Sequence, residues 1–162
     1  MLAKGQSLLT MKNIFSFIII SFFTIQCFAQ SNQITKKKFH DGKLNQQDST
    51  IGYAEAVQVD NLLYISGCIG KGTVDEQLQY IYTNLGKVLN AYGATYQNVV
   101  KETLFTTDIE AVKSNNAVRK AFYKGDFPAA TWIQISRLFS ARADAQIEIE
   151  FIAHLPKNAK DK

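Results

Sequence analysis

The chain has 162 residues, 46% of them apolar and 20% charged. That length supports one domain with a proper core rather than two, and the composition excludes a disordered or fibrous protein. The formal net charge is +4, but removing residues 1–29 takes away Lys4 and Lys12 and no acid, which leaves +2 and a poor case for nucleic acid as a partner.

Those first residues read as a targeting segment. Lys12 precedes the apolar run from Ile14 to Phe23, and Cys27-Phe28-Ala29 ends in the small residue that a signal peptidase accepts. The run falls short of the roughly 20 apolar residues of a spanning helix, so no stable membrane insertion is expected after cleavage. Met11-Lys12 is a natural start, which makes residues 1–10 an upstream extension. The reading is an exported, periplasmic or secreted protein with Cys68 as its one mature thiol, and hence no internal disulfide.

Residues 30–50 are polar and lack hydrophobic periodicity, and Lys36-Lys37-Lys38 reads as a solvated charge run. The folded domain is placed at 51–156, with a polar tail at 157–162. Tyr53 to Val59 and Leu62 to Cys68 predict two strands joined by a tight turn at Asp60-Asn61. Thr73-Val74-Asp75-Glu76 fits a capping box, followed by Leu78, Ile81, Leu85, Val88 and Leu89 at helical spacing and a stop at Gly93. Val99 to Thr106 predicts a strand, and Asp108 caps a second helix through Asn116, Arg119 and Phe122 to the break at Gly125. Strands at Thr131 to Ser136 and Gln146 to Ala153 complete the order ββαβαββ, around the loop Leu138 to Ala145. This is an α+β architecture with two helices on one sheet face, and the apolar content of the other face calls for a cover.

Gly67-Cys68-Ile69-Gly70-Lys71-Gly72 is not a phosphate loop, because Ile65 and Gly72 stand where glycine and Ser/Thr are required. No metal site is expected, since His40 and His154 have no HxxH or CxxC spacing around them, and no cofactor motif is present. Glu148 and Glu150, two apart on a strand, share one face, where they repel unless solvated or paired.

The stretch Phe127 to Ala153, together with Gly52-Tyr53-Ala54-Glu55-Ala56-Val57 and Ile65-Ser66-Gly67, resembles the Rid family of RidA and YjgF-type proteins. The resemblance implies a chorismate-mutase-like fold, a homotrimer, and small-molecule clefts between subunits. It implies an activity like that of 2-iminobutanoate/2-iminopropanoate deaminases, with Glu148 activating the hydrolytic water. It also implies substrate contacts from Tyr53, Ser66, Asn116 and Thr131, whereas Trp132 stands where the family often has a small residue, and its flat ring is expected to wall the cleft with Tyr53.

Several positions depart from the pattern. Glu55 and Cys68 replace glutamines, and Pro128-Ala129-Ala130 replaces the Pro-Ala-Arg whose guanidinium grips a substrate carboxylate. The usual 2-imino acids are therefore not the expected substrates, unless Arg119, Arg137 or Arg142 substitutes. The alternatives are a non-catalytic protein that binds a small molecule by stacking on Trp132, and a chaperone-like partner. The ribonuclease activity described for some members fits the weak net charge least.

Overall fold

The computed structural model describes residues 34–140 and 142–157. The expected signal segment, the extension before it and most of the C-terminal tail lie outside these residues. Among the described residues, no helix is long and apolar enough to cross a membrane.

A seven-stranded sheet runs in the order β2-β1-β3-β4-β7-β5-β6. Its strands are β1 Lys37–His40, β2 Lys43–Leu44, β3 Ala56–Val59, β4 Leu62–Ile69, β5 Val99–Thr106, β6 Ala129–Gln134 and β7 Ile147–His154. All neighbours pair antiparallel except β5 and β6, which are parallel. Three helices, α1 Val74–Ala91, α2 Ile109–Ser114 and α3 Asn116–Tyr123, complete the α+β fold.

The sheet starts earlier than the sequence pattern places it. β1 lies inside the stretch read as a polar segment and pairs with β3, with Phe39 opposite Ala56. Three consecutive lysines hide the strand, because its one large apolar side chain, Phe39, joins the core while its neighbours look like a charge run. Asp41 (φ 49°) and Gly42 (φ 76°) then make the two-residue turn that an Asp-Gly pair favours. Tyr53 is not in a strand either. The Asp48 carboxylate accepts the N–H groups of Thr50 (2.6 Å) and Ile51 (2.9 Å), and this side-chain turn delays β3 until Ala56.

The capping box at α1 forms as expected: Thr73 N–H donates to Glu76 Oε2 (2.8 Å), and Glu76 N–H to Thr73 Oγ1 (3.3 Å). Leu78, Ile81, Leu85, Val88 and Leu89 are all in the core, and Gly93 takes φ 67° past the helix end. The expected second helix is two. Asn115, at φ −99° and ψ 12°, shares its N–H between Ala111 and Val112 carbonyls (3.2 Å each) and donates its side-chain amide to Ala111 O (2.8 Å), which ends α2. Asn116 therefore opens α3 rather than sitting inside a helix.

α1 packs on β4 and β7 and against α3. Along β7, Ile147, Ile149, Phe151 and Ala153 are buried toward the core, while Glu148, Glu150, Ile152 and His154 take the opposite face. One buried polar clamp locks α1 to the sheet. Gln77 Oε1 accepts the N–H groups of Gln146 (2.9 Å) and Ile147 (3.1 Å), and its Nε2 donates to Gly72 O and Asp144 O, both at 2.8 Å.

Candidate functional site

A cavity of about 550 Å³ lies between α1, the turn before β3 and the middle of β4. Its walls include Tyr53 and Glu55 from the turn, Ser66, Gly67 and Cys68 from β4, and Tyr80, Asn84 and Lys87 from α1. A bulge in β4 shapes it. Ile65 pairs with Phe151 and Cys68 with Ile149, so Ser66 and Gly67 together oppose one residue. The bulge is pinned by Ser66, whose N–H donates to Glu55 O (2.8 Å) and whose hydroxyl donates to Ala54 O (2.7 Å).

Glu148 does not line the cavity itself. Its carboxylate presses against the backbone of Gly67, which does, and a Cβ at position 67 would overlap that carboxylate. Glycine is needed here for close approach. Glu148 is half-buried, and burial, followed by the charge of Glu150 on the same face, raises its pKa above the ordinary carboxylate range. A carboxylate of raised basicity beside strand backbone can accept a proton from water.

Burial, followed by the charges of Glu55 and Glu148, pushes the Cys68 thiol up to about 11. Cys68 is thus a protonated wall group at neutral pH. We expect site-mapped iodoacetamide labelling of Cys68 to be slow at pH 7.5 and to accelerate only as pH approaches 11. Rapid labelling at pH 7.5 would contradict this assignment.

The remaining expected site residues lie elsewhere in the subunit. Thr131 is on the edge strand β6, where its hydroxyl accepts from Lys101 Nζ. Asn116 begins α3, and its buried Oδ1 has no hydrogen-bond partner. Trp132 turns toward the core instead of walling the cavity: it is half-buried and donates its indole N–H to Glu102 Oε1 (3.2 Å). Its ring also lies 5.6 Å from the Arg119 guanidinium.

Glu102, hidden in the sequence as part of an apolar strand, is completely buried. Besides Trp132 it accepts from Arg119 Nε (2.8 Å), Tyr82 Oη (2.8 Å) and Tyr123 Oη (2.7 Å). Burial and, next, the Glu102 charge hold both tyrosines well above their ordinary pKa. The signal is an acid two residues before Leu104, at an inward position of the strand's alternation. This network also bears on the missing Arg. Arg119 is committed to Glu102, Arg142 is paired with Asp144 through Nε (3.1 Å) and Nη2 (2.9 Å), and Arg137 is exposed on the loop after β6.

The family model for endoribonuclease L-PSP matches residues 43–155. Among curated proteins, the human 2-iminobutanoate/2-iminopropanoate deaminase is 36% identical over 110 residues, covering 62% of this chain and 78% of that protein. The Drosophila melanogaster RutC family protein UK114 is 36% identical over the same length and coverage. Among solved structures, a Yersinia pestis protein of the conserved Rid family superposes with a TM-score of 0.65 at 26% identity, covering 75% of this chain and all of the other. A Mycobacterium tuberculosis member of the YjgF/YER057c/UK114 family, at 22% identity, shows the same fold with a TM-score of 0.66 and the same coverages.

Proposed function

This chain belongs to the endoribonuclease L-PSP (YjgF/Rid) family, and from that premise we propose that it is an exported hydrolase of imine- or enamine-type small molecules in which Glu148 activates water. The observation that carries the reading is the half-buried Glu148 carboxylate, raised in pKa and pressed against the Gly67 backbone at the cavity wall. Tyr53, Ser66 and the bulge backbone hold the ligand's polar atoms. Deaminase-named relatives support the reaction class.

The substrate departs from that of those relatives. With Ala130 in place of the Arg, Arg119 and Arg142 paired to acids and Arg137 on the exposed loop after β6, no guanidinium of the described residues lines the cavity to receive the carboxylate of a 2-imino acid. Neutral or aromatic imines fit better, and export removes the protein from the cytoplasmic source of 2-imino acids. Tyr64 and Ile133 are exposed on the sheet face opposite the helices, which supports covering that face with further copies of the chain in a homotrimer.

The test is a panel of freshly generated imines, with and without an α-carboxylate, against wild type and Ala130→Arg. Wild type should turn over the uncharged imines and leave 2-iminobutanoate near its spontaneous rate. Ala130→Arg should raise 2-iminobutanoate hydrolysis at least about tenfold, the scale of one charge-assisted hydrogen bond made in the transition state. Wild-type turnover of 2-iminobutanoate that Ala130→Arg fails to increase would refute the substrate assignment, and saturable binding of the panel without turnover would leave a binding protein.

A further inference from the structure

The end of the cavity nearest β1 carries a group of side chains that the hydrolase reading does not use. His40 closes β1 and is 6% exposed. Three carboxylates converge on its ring. Asp41 Oδ2 lies 3.3 Å from Nε2, Asp48 Oδ2 lies 3.8 Å from Nε2, and Glu55 Oε1 lies 4.0 Å from Nδ1. One donor atom from each of His40, Asp41 and Glu55 lies within 4.8 Å of the other two.

Three acids at one spot are by themselves an ordinary surface feature. The buried imidazole is not. Its Nδ1 has no hydrogen-bond partner, although it is shut away from water and faces the Glu55 carboxylate. A buried polar nitrogen without a partner is costly. The 4.0 Å gap is too long for a hydrogen bond. Two ligands each about 2.0–2.2 Å from one tetrahedral ion lie about 3.4 Å apart, so a closing of roughly half an ångström would bring this pair onto one ion.

The carboxylates are held for this arrangement. Glu55 accepts the Asp41 N–H through Oε2 (2.9 Å), which leaves Oε1 directed at Nδ1. Asp48 spends Oδ1 on the N–H groups of Thr50 and Ile51 and leaves Oδ2 toward Nε2. The Asp41-Gly42 turn carries Asp41 back beside His40, and the Tyr53 ring lies edge-on to the imidazole at 5.3 Å. The ligands come from a tight turn and from the segment just before β3, so no HxxH-type spacing announces them.

We propose that His40, Glu55 and Asp41 form a binding site for a divalent transition-metal ion of the zinc class, in which Nδ1 and Glu55 Oε1 face each other across the ion's place, Asp41, 3.3 Å from Nε2, swings in as the third ligand, and Asp48 stays on the Nε2 side as the outer partner. Imidazole with carboxylates, and no thiolate, suits zinc and its neighbours rather than magnesium or calcium, which take oxygen-only shells. A dication also offsets the mutual repulsion of the three carboxylates. Asp41, Tyr53 and Glu55 line the cavity, so the ion stands at its end, and it does so whether or not the cavity is catalytic.

The experiment is calorimetric titration of untagged protein with zinc chloride, followed by thermal melting with and without zinc. Wild type should bind one equivalent and melt at a higher temperature with zinc, and millimolar magnesium should do neither. Glu55→Gln, which keeps the shape of the side chain, and His40→Ala should lose saturable binding. Asp48→Asn should weaken it about 10–100-fold, the usual effect of removing an outer-shell partner. If His40→Ala fails to fold, Glu55→Gln and Asp48→Asn decide the matter. Absence of saturable zinc binding by wild type, or undiminished binding by Glu55→Gln, would show that the cluster is a polar packing group around His40 with no ion and overturn the assignment.

Discussion

Glu102→Ala is expected to lower the melting temperature by about 10–20 °C, the largest effect of any single substitution considered for this fold. The carboxylate has no solvent contact and receives four donors, from Tyr82, Tyr123, Arg119 and Trp132. Truncation leaves Arg119, itself only 8% exposed, without a counter-ion and strands three further donors. Breaking one side of a buried pair costs about 3–5 kcal/mol, and each kcal/mol moves the midpoint of a domain this size by a few degrees. The matched double substitution, Glu102→Leu with Arg119→Met, should recover the part of the loss due to the uncompensated charge, because it removes the charges together, while Tyr82, Tyr123 and Trp132 stay without their acceptor. Thermal melts of the two single variants and the double variant close the cycle. A shift below about 3 °C for Glu102→Ala would mean that the network contributes little.

The same network marks the limit of what the sequence disclosed. Local signals were legible wherever local chemistry decides the structure. The Thr73–Glu76 capping box, the helical spacing through Leu89, the Asp60 turn and the β-branched run of β5 all lie where they were expected. The failures have tertiary causes. β1 is a strand because β3 offers it an edge and the core accepts Phe39, neither of which its lysine-rich sequence announces. Asn115 ends α2 through bonds of its own side chain and amide, against an otherwise continuous helical pattern.

Trp132 reads from the sequence as a cleft wall, a large flat ring where the family often has a small residue. Its indole N–H instead meets Glu102, 30 residues earlier in the chain, across the parallel β5–β6 pair. The candidate site was half legible in the same sense. Tyr53 and Ser66 do meet at the cavity, but the contact of Glu148 with Gly67 depends on the β4 bulge, which the alternation of Leu62 to Cys68 does not betray.

Glu148→Gln should reduce kcat on any imine that wild type hydrolyses by about 10²–10⁴-fold, the usual contribution of a positioned general base, while leaving the fold intact. The amide keeps the size of the side chain and cannot take a proton from water. The pH profile supplies a second readout. The base works only when ionised, so kcat/KM falls as pH drops through its pKa, and burial plus Glu150 place that acid limb above the ordinary carboxylate range of about 4.3. Glu150→Gln removes the neighbouring charge and should move the limb toward lower pH, with burial, the larger cause, still in place.

Position 67 offers a third handle that leaves every polar group present. Gly67→Ala forces the Glu148 carboxylate off the bulge, because the new methyl occupies its place. A loss of kcat with an unchanged melting temperature would then tie turnover to the placement of that carboxylate. Full activity in both Glu148→Gln and Gly67→Ala would remove Glu148 from the chemistry altogether. Misplacing a reacting group by about 1 Å can cost about 100-fold in rate, so a base held by strand backbone rather than by a mobile loop is where a single methyl should be felt most.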